Sequence, residues 1–153
     1  MTASVFEVAG GDDAFQRLAA VHHAQCLAEP ELNHAFSHDN LNPHHVQRLG
    51  WYWAEVFGGP PRFTDSCGGQ SPMLELHACN GAPEDWKQRF VTCFIAAIDE
   101  TGLPDDADLR QVLRDYMAWA VQDVMAYEDP GSVVPSGLGV PRWSWEGLVS
   151  DGR

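Results

Sequence analysis

The strongest helical pattern in the chain is PEDWKQRFVTCFIAAIDETGLP, residues 83–104. Its apolar side chains recur three and four residues apart, which is the spacing of one face of an α-helix; they are Trp86, Phe90, Cys93, Phe94, Ala97 and Ile98. Proline followed by two acidic residues is a typical helix start, and Gly102 with Pro104 is a typical end. We therefore predict a central packing helix in this stretch.

Similar patterns on both sides of this stretch predict further helices. They cover about 14–28, a short piece over 30–36, a helix that follows Asn42 and ends at the Gly-Pro run 58–61, a short helix over 72–80, and a long helix from about 109 to 127. The segment 62–71 is rich in Gly and Ser, so we expect a loop there. No strand pair is required, and the predicted fold class is all-α with four main helices.

Length and charge limit the classes of function. A chain of 153 residues is long enough for one domain with one core. With 9 Lys and Arg against 22 Asp and Glu, its formal net charge is -13. Such a surface repels nucleic acid and anionic lipid headgroups, so we expect neither as a partner. The start of the sequence has neither the basic segment nor the apolar run of a secretion signal, which predicts a cytoplasmic protein.

The four cysteines, Cys26, Cys67, Cys79 and Cys93, show no CxxC pairing, and in a reducing compartment we expect free thiols.

The segment after about residue 127 is rich in Gly, Pro and Ser, yet it contains Trp143 and Trp145. Because exposed tryptophans are costly, we expect the tail to pack on the helices or on a second copy of the chain as a homodimer. The predicted division is a domain over 1–127 and a C-terminal extension over 128–153.

Seven histidines are the main functional signal in the composition. His77 ends a short apolar segment, and Leu76 stands directly beside it. An imidazole presented there could ligate iron while the apolar neighbours cover a macrocycle. The alternative, a hydrogen-bonded or surface histidine, is more common for any single histidine.

Two other histidines fall on inward helix faces by their spacing. His45 shares a face with Leu49 and Trp53, and His23 shares one with Ala19 and Leu27. Buried imidazoles need partners, so a ligand shared by His23 and His45 is one interpretation, and hydrogen bonds to the backbone are the other.

We expect His22 and His44 to face outward. His34 and His38 are spaced for a metal only if both lie on one helix, and a solvated surface is favoured. The aromatic side chains of Trp51, Tyr52, Trp53 and Trp86 are expected in the core by default.

The order of these features resembles the group II truncated haemoglobins. The motifs that carry the resemblance are VAGG at 8–11, EPEL at 29–32 with Phe36 after it, VFGGP at 56–60, His77-Ala78, and Cys93 followed by DETGLP at 99–104. They are short, but their order and spacing extend over about residues 5–126. The resemblance implies a truncated globin, a two-over-two helical sandwich with an irregular C-terminal tail, enclosing one haem. Because the chain has no CxxCH, the expected cofactor is haem b.

On this resemblance His77 is the iron ligand. Phe36 and Phe90 correspond to aromatic positions beside the haem, and Leu49 to an apolar position over it. The family usually has tyrosine where this chain has His23 and tryptophan where it has Phe90, so its usual hydrogen-bond donors are absent. His45 falls at the distal position on the second main helix. We assign the haem-lining role to Phe36, Leu49, Trp53, Leu76, His77 and Phe90, and the distal role to His23 and His45.

The resulting hypothesis is a globin that binds or transports dioxygen and related diatomic ligands, served by an unknown reductase. Nitric oxide dioxygenase or peroxidase activity would be compatible with distal imidazoles, which can donate or accept protons. Two alternatives remain at this point. One is a dedicated haem-dependent oxidising enzyme, and the other is a haem-free helical protein with structural or non-haem metal-binding histidines.

Overall fold

The structure is a computed structural model, and it describes residues 2–30, 32, 44–79 and 84–153. These residues contain seven α-helices and one short β-hairpin. The helices are α1 (Val5–Ala9), α2 (Gly11–Ala28), α3 (His45–Val56), α4 (Arg62–Cys67), α5 (Gln70–His77), α6 (Glu84–Glu100) and α7 (Ala107–Val124), and a 3-10 turn follows at Met125–Tyr127. The hairpin pairs β1 (Arg142–Ser144) with β2 (Gly147–Ser150) in antiparallel fashion.

Four of the helices form the main layers. α2 packs against both α3 and α6, and α6 packs against α7. The predicted central helix is confirmed as α6, which buries Phe94, Ala97 and Ile98. The side chains at the centre of the molecule are aromatic: Phe15 stacks on Phe57, which in turn contacts Tyr116 edge to face. The all-α globin fold predicted from the sequence is therefore confirmed.

A polar cap at one helix start and glycines at one helix end lie close to boundaries that the sequence predicts. The Asp106 carboxylate accepts a hydrogen bond from the Leu109 N–H at 3.0 Å and caps α7. After α3, Gly58 has a φ of 103°, which favours glycine. A Cβ on Gly59 would lie 2.8 Å from the Ala54 carbonyl oxygen, too close for any other residue. The Gly-Gly pair therefore stops α3 and lets the chain turn tightly.

The expectation of a loop over 62–71 is wrong. α4 occupies Arg62–Cys67, and α5 already begins at Gln70. The buried Phe63 packs edge to face on Tyr52, and the Glu55 carboxylate accepts hydrogen bonds from the N–H and hydroxyl of Thr64. These contacts with α3 stabilise a helix that the local Gly and Ser content does not favour.

The expectation that no strand pair is required is also wrong, because the tail contains the β1/β2 hairpin. Trp143 on β1 is buried, with its ring centroid 5.6 Å from that of Tyr116 and 5.8 Å from that of Trp119. The half-buried Trp145 donates a hydrogen bond from Nε1 to the Ala3 carbonyl oxygen at 2.9 Å. The tail thus lies on α7 and on the N-terminal residues, while the domain boundary at 127 stays a prediction.

None of the helices in the described ranges combines the length and apolar character that a membrane crossing requires. The predicted helical piece over 30–36 falls mostly outside these ranges, and so do Phe36, His34 and His38. Within it, Leu32 is described and is fully buried.

Candidate functional site

His77 is the last residue of α5 and is partly buried. Its Nδ1 lies 2.8 Å from the Met73 carbonyl oxygen, one helical turn earlier. A carbonyl oxygen only accepts, so Nδ1 carries the proton and donates, and Nε2 is the basic nitrogen of the ring. This is the protonation pattern of a metal-binding histidine whose second nitrogen is fixed by a backbone carbonyl.

Leu76, the neighbour of His77, is 79% exposed in the protein alone. A leucine this exposed beside a histidine with a fixed tautomer is suited to contact an apolar ligand. Leu49 and Phe90 are half-buried and pack on the core cluster, so parts of both remain accessible. Trp53, by contrast, is fully buried with its ring centroid 5.0 Å from that of Phe94. The haem-lining role assigned to these residues stays a prediction.

The structure brings His23 and His45 together from α2 and α3. Their ring centroids are 5.4 Å apart with an interplanar angle of 55°. Burial, with His23 and His77 nearby, lowers the pKa of His45 to about 4. Burial also lowers the pKa of His23. Both imidazoles are therefore neutral near pH 7, and each offers one N–H donor and one acceptor nitrogen.

His77, the last residue of α5, is the smallest of the causes that lower the pKa of His45, after burial and His23. The two rings that α2 and α3 bring together are those of His23 and His45. Within the described ranges, no three His, Cys, Asp or Glu side chains are grouped so as to hold a metal ion.

The expectation that His22 faces outward is wrong, whereas His44 is exposed as predicted. The His22 side chain is 1% exposed, and its ring centroid lies 4.6 Å from that of Phe90 and 5.4 Å from that of Trp53. The sequence contained a signal for this burial, since Phe15, Leu18, His22 and Cys26 follow one another at helical spacing. These four residues form the centre of the buried face of α2, and His23 lies at its edge.

His22 is a buried neutral imidazole. Its Nε2 lies 3.4 Å from the Phe90 carbonyl oxygen and 3.5 Å from Cys26 Sγ, and its buried Nδ1 has no hydrogen-bond partner among the described residues. Burial lowers the pKa of His22 to about 4. The Phe90 carbonyl oxygen opposes this shift, and the neighbouring His23 and His45 add to it. Cys26 and Cys93 hydrogen-bond each other beside it, and burial raises the pKa of both thiols. All four cysteines are free thiols, as the sequence predicts.

The His22→Phe variant is expected to remove part of the acid sensitivity of the fold. Unfolded His22 takes up a proton near pH 6.5 but folded His22 only near pH 4, so this residue destabilises the fold progressively as pH falls from 6.5 to 4. The difference of about 2.5 pKa units corresponds to about 3 kcal/mol. Phenylalanine fills a similar volume without a proton site, so the loss of unfolding free energy between pH 7 and pH 4 should shrink by up to this amount.

Denaturant unfolding at several pH values measures this change, with His44→Gln as the control that removes an exposed histidine. An equal pH dependence in the wild-type protein and in His22→Phe would contradict the burial of a neutral imidazole at this position.

The two-layer helical fold described above is that of a globin. A family model described as bacterial-like globin matches residues 4–125. The chain therefore belongs to the bacterial-like globin family, and its structural neighbours are truncated haemoglobins. The resemblance seen in the sequence is confirmed. A comparison with curated proteins found no match.

Three solved structures illustrate the similarity. A thermostable haemoglobin from the actinobacterium Thermobifida fusca is 27% identical, with a TM-score of 0.66 over 80% of this chain and 96% of that chain. The haemoglobin from Chloroflexus aurantiacus is 24% identical, with a TM-score of 0.69 over 80% of this chain and 98% of that chain. The group II truncated haemoglobin from Bacillus anthracis is 16% identical, with a TM-score of 0.69 over 87% and 99%. The last two similarities concern the fold.

Membership in this family implies a haem cofactor with iron. The residues present fit such a group, because the Met73 carbonyl leaves His77 Nε2 as the basic ring nitrogen and Leu76 is exposed next to it. The site residues that the spacing did not reveal are Met73, which fixes the His77 tautomer, and His22. The first could have been anticipated, because Met73 and His77 are four residues apart on one helix.

Proposed function

We propose that this chain binds one haem b through Nε2 of His77 and functions as a binding protein for dioxygen and related diatomic ligands. The observation that carries the proposal is the hydrogen bond from His77 Nδ1 to the Met73 carbonyl oxygen at 2.8 Å. It fixes the tautomer in which Nε2 can ligate a metal. When bound, haem iron supplies an open coordination position for a diatomic ligand.

In this proposal His23 and His45 form the distal side of the pocket. A neutral imidazole has one N–H, and the ring centroids of these two histidines are 5.4 Å apart. One ring can donate to a polar ligand while the second ring orients the first. Leu49 and Phe90 would form the apolar walls that exclude water, and Phe90 stacks on Trp86 at 5.7 Å between ring centroids. A reductase that keeps the iron ferrous is the expected partner, and the free thiols suit a reducing cytoplasm.

Nitric oxide dioxygenation would use the same pocket, because dioxygen is one of its two substrates. Peroxidase activity is less favoured, since it needs a distal base that accepts a proton. The lowered pKa of His45, about 4, makes its imidazole a weak proton acceptor near neutral pH. An imidazole of this kind is better suited to donate a hydrogen bond than to act as a base.

The optical spectrum of the purified protein tests the proposed function. We expect a Soret band in the oxidised protein, a changed spectrum on reduction, and a further shift with carbon monoxide. Steady oxidation of an electron donor by peroxide would instead favour the oxidising enzyme. A preparation that takes up no haem when haem is supplied would overturn the proposal.

A further inference from the structure

The C-terminal tail, residues 128–153, lies outside the family match, which ends at residue 125. It nevertheless contacts the first turn of α5, the helix that ends in His77, and also Cys79, which follows that helix. With eight residues, α5 is too short to be stable by itself, so contacts from outside the helix decide how it is oriented.

At the start of α5, the tail forms hydrogen bonds with one backbone N–H and with one buried hydroxyl of the helix. The Gln70 N–H donates to the Leu138 carbonyl oxygen at 3.0 Å. The buried Ser71 hydroxyl donates to the Pro135 carbonyl oxygen at 2.6 Å and accepts from the Leu138 N–H at 2.9 Å. The approach is close, because a Cβ on Gly69 would lie 3.0 Å from the Leu138 carbonyl oxygen. The first turn of α5 is therefore held by three hydrogen bonds to the tail.

A second set of hydrogen bonds fixes the backbone at Cys79, two residues after His77. The Cys79 N–H donates to the Tyr127 carbonyl oxygen in the 3-10 turn at 2.8 Å, and Cys79 Sγ lies 3.6 Å from the Ser132 carbonyl oxygen. Cys79 has a φ of 60°, which is unfavourable for a residue with a side chain. Such a conformation persists where surrounding contacts hold it.

The helix is also anchored on the side of the core. The buried Gln70 side chain accepts a hydrogen bond from the Tyr52 hydroxyl at 2.8 Å, and Leu74 is fully buried. The core thus holds one side of α5, while the tail and the 3-10 turn hold its two ends. A segment fixed in this way has little freedom to rotate about its axis or to shift along it.

We propose that the C-terminal tail is a positioning element that sets the orientation of α5 and, through it, the direction in which His77 Nε2 points toward the haem iron. This inference rests on the proposed ligation of haem by His77. Ser71 is the central positioning residue, because its hydroxyl joins two backbone groups of the tail to the first turn of the helix.

Ser71→Ala in the haem-loaded protein tests the proposal, with Ser136→Ala as the matched control that removes an exposed serine hydroxyl from the tail. The Ala variant leaves the Pro135 carbonyl and the Leu138 N–H without the hydroxyl that pairs them. We expect a shifted or broadened iron–histidine stretching band in the resonance Raman spectrum of the reduced protein. Amide hydrogen exchange in α5 and the rate of haem loss should each rise about tenfold, equivalent to about 1.4 kcal/mol.

Ser71→Thr, which keeps the hydroxyl, should restore the wild-type band. If Ser71→Ala does not fold, Leu138→Pro removes the N–H donor from the tail without changing α5 and should produce the same shift. A lower melting temperature with an unchanged iron–histidine band would show a purely structural role and overturn the proposal. If the wild-type protein binds haem without any iron–histidine band, the proposed function itself fails.

Discussion

Replacing His77 by glycine is expected to abolish stable haem binding. The other side chains near the site contribute apolar contact or hydrogen bonds, and His77 is the residue assigned as the iron ligand. Loss of a residue that only orients a metal ligand costs about 10–100-fold in metal affinity, so loss of the ligand itself should exceed about 100-fold. The cavity left by the ring should accept free imidazole, and added imidazole should restore the spectrum of the reduced protein.

The measurement is a haem titration followed by the Soret absorbance, with and without imidazole. His44→Gly serves as the control, because His44 is an exposed histidine at the start of α3. His77→Gly with the affinity and spectrum of the wild-type protein would show that another residue ligates the iron.

The second large effect is expected at the distal pair. Removing the hydrogen-bond donor by His45→Leu or His23→Leu should raise the rate of dioxygen release about 10- to 100-fold. Hydrogen bonds to groups that carry charge contribute about 1.5–3 kcal/mol, and each 1.4 kcal/mol is tenfold. Leucine is similar in size to histidine, so the variants mainly remove polarity. Carbon monoxide is less polar when bound, so its release should change much less.

Stopped-flow release of dioxygen and carbon monoxide from the two variants, the wild-type protein and His44→Leu provides the comparison. The double variant His23→Leu/His45→Leu then shows whether the two rings act as one unit, because coupled residues are not additive. A change below about threefold in both single variants, less than 1 kcal/mol, would mean that neither histidine contacts the ligand. Ligand access would then depend on the size of Leu49 and Phe90 alone.

The inward placement of two histidines could be anticipated because helical spacing is a local property. Residues four apart lie on one face, so the spacing of His45 from Leu49 and of His23 from Ala19 predicted that both histidines lie on inward faces. The structure indeed places their rings 5.4 Å apart. Spacing also placed His22 on one face with Phe15 and Leu18, so the outward prediction for His22 overlooked the larger apolar face of α2. The packing of Phe15 and Leu18 in the core placed His22 inside.

Residue order alone was enough to predict the central helix α6, the stop of α3 at Gly58 and Gly59, and the family resemblance. These features depend on side-chain periodicity, backbone freedom and hydrogen bonds within a few residues. Residue order did not predict the helix α4, the β1/β2 hairpin or the attachment of α5 to the tail. Each of these depends on contacts between residues distant in sequence, such as Ser71 with Leu138 and Trp143 with Tyr116. Local helix and strand propensities do not predict such contacts, because these contacts stabilise the chain only after distant segments have come together.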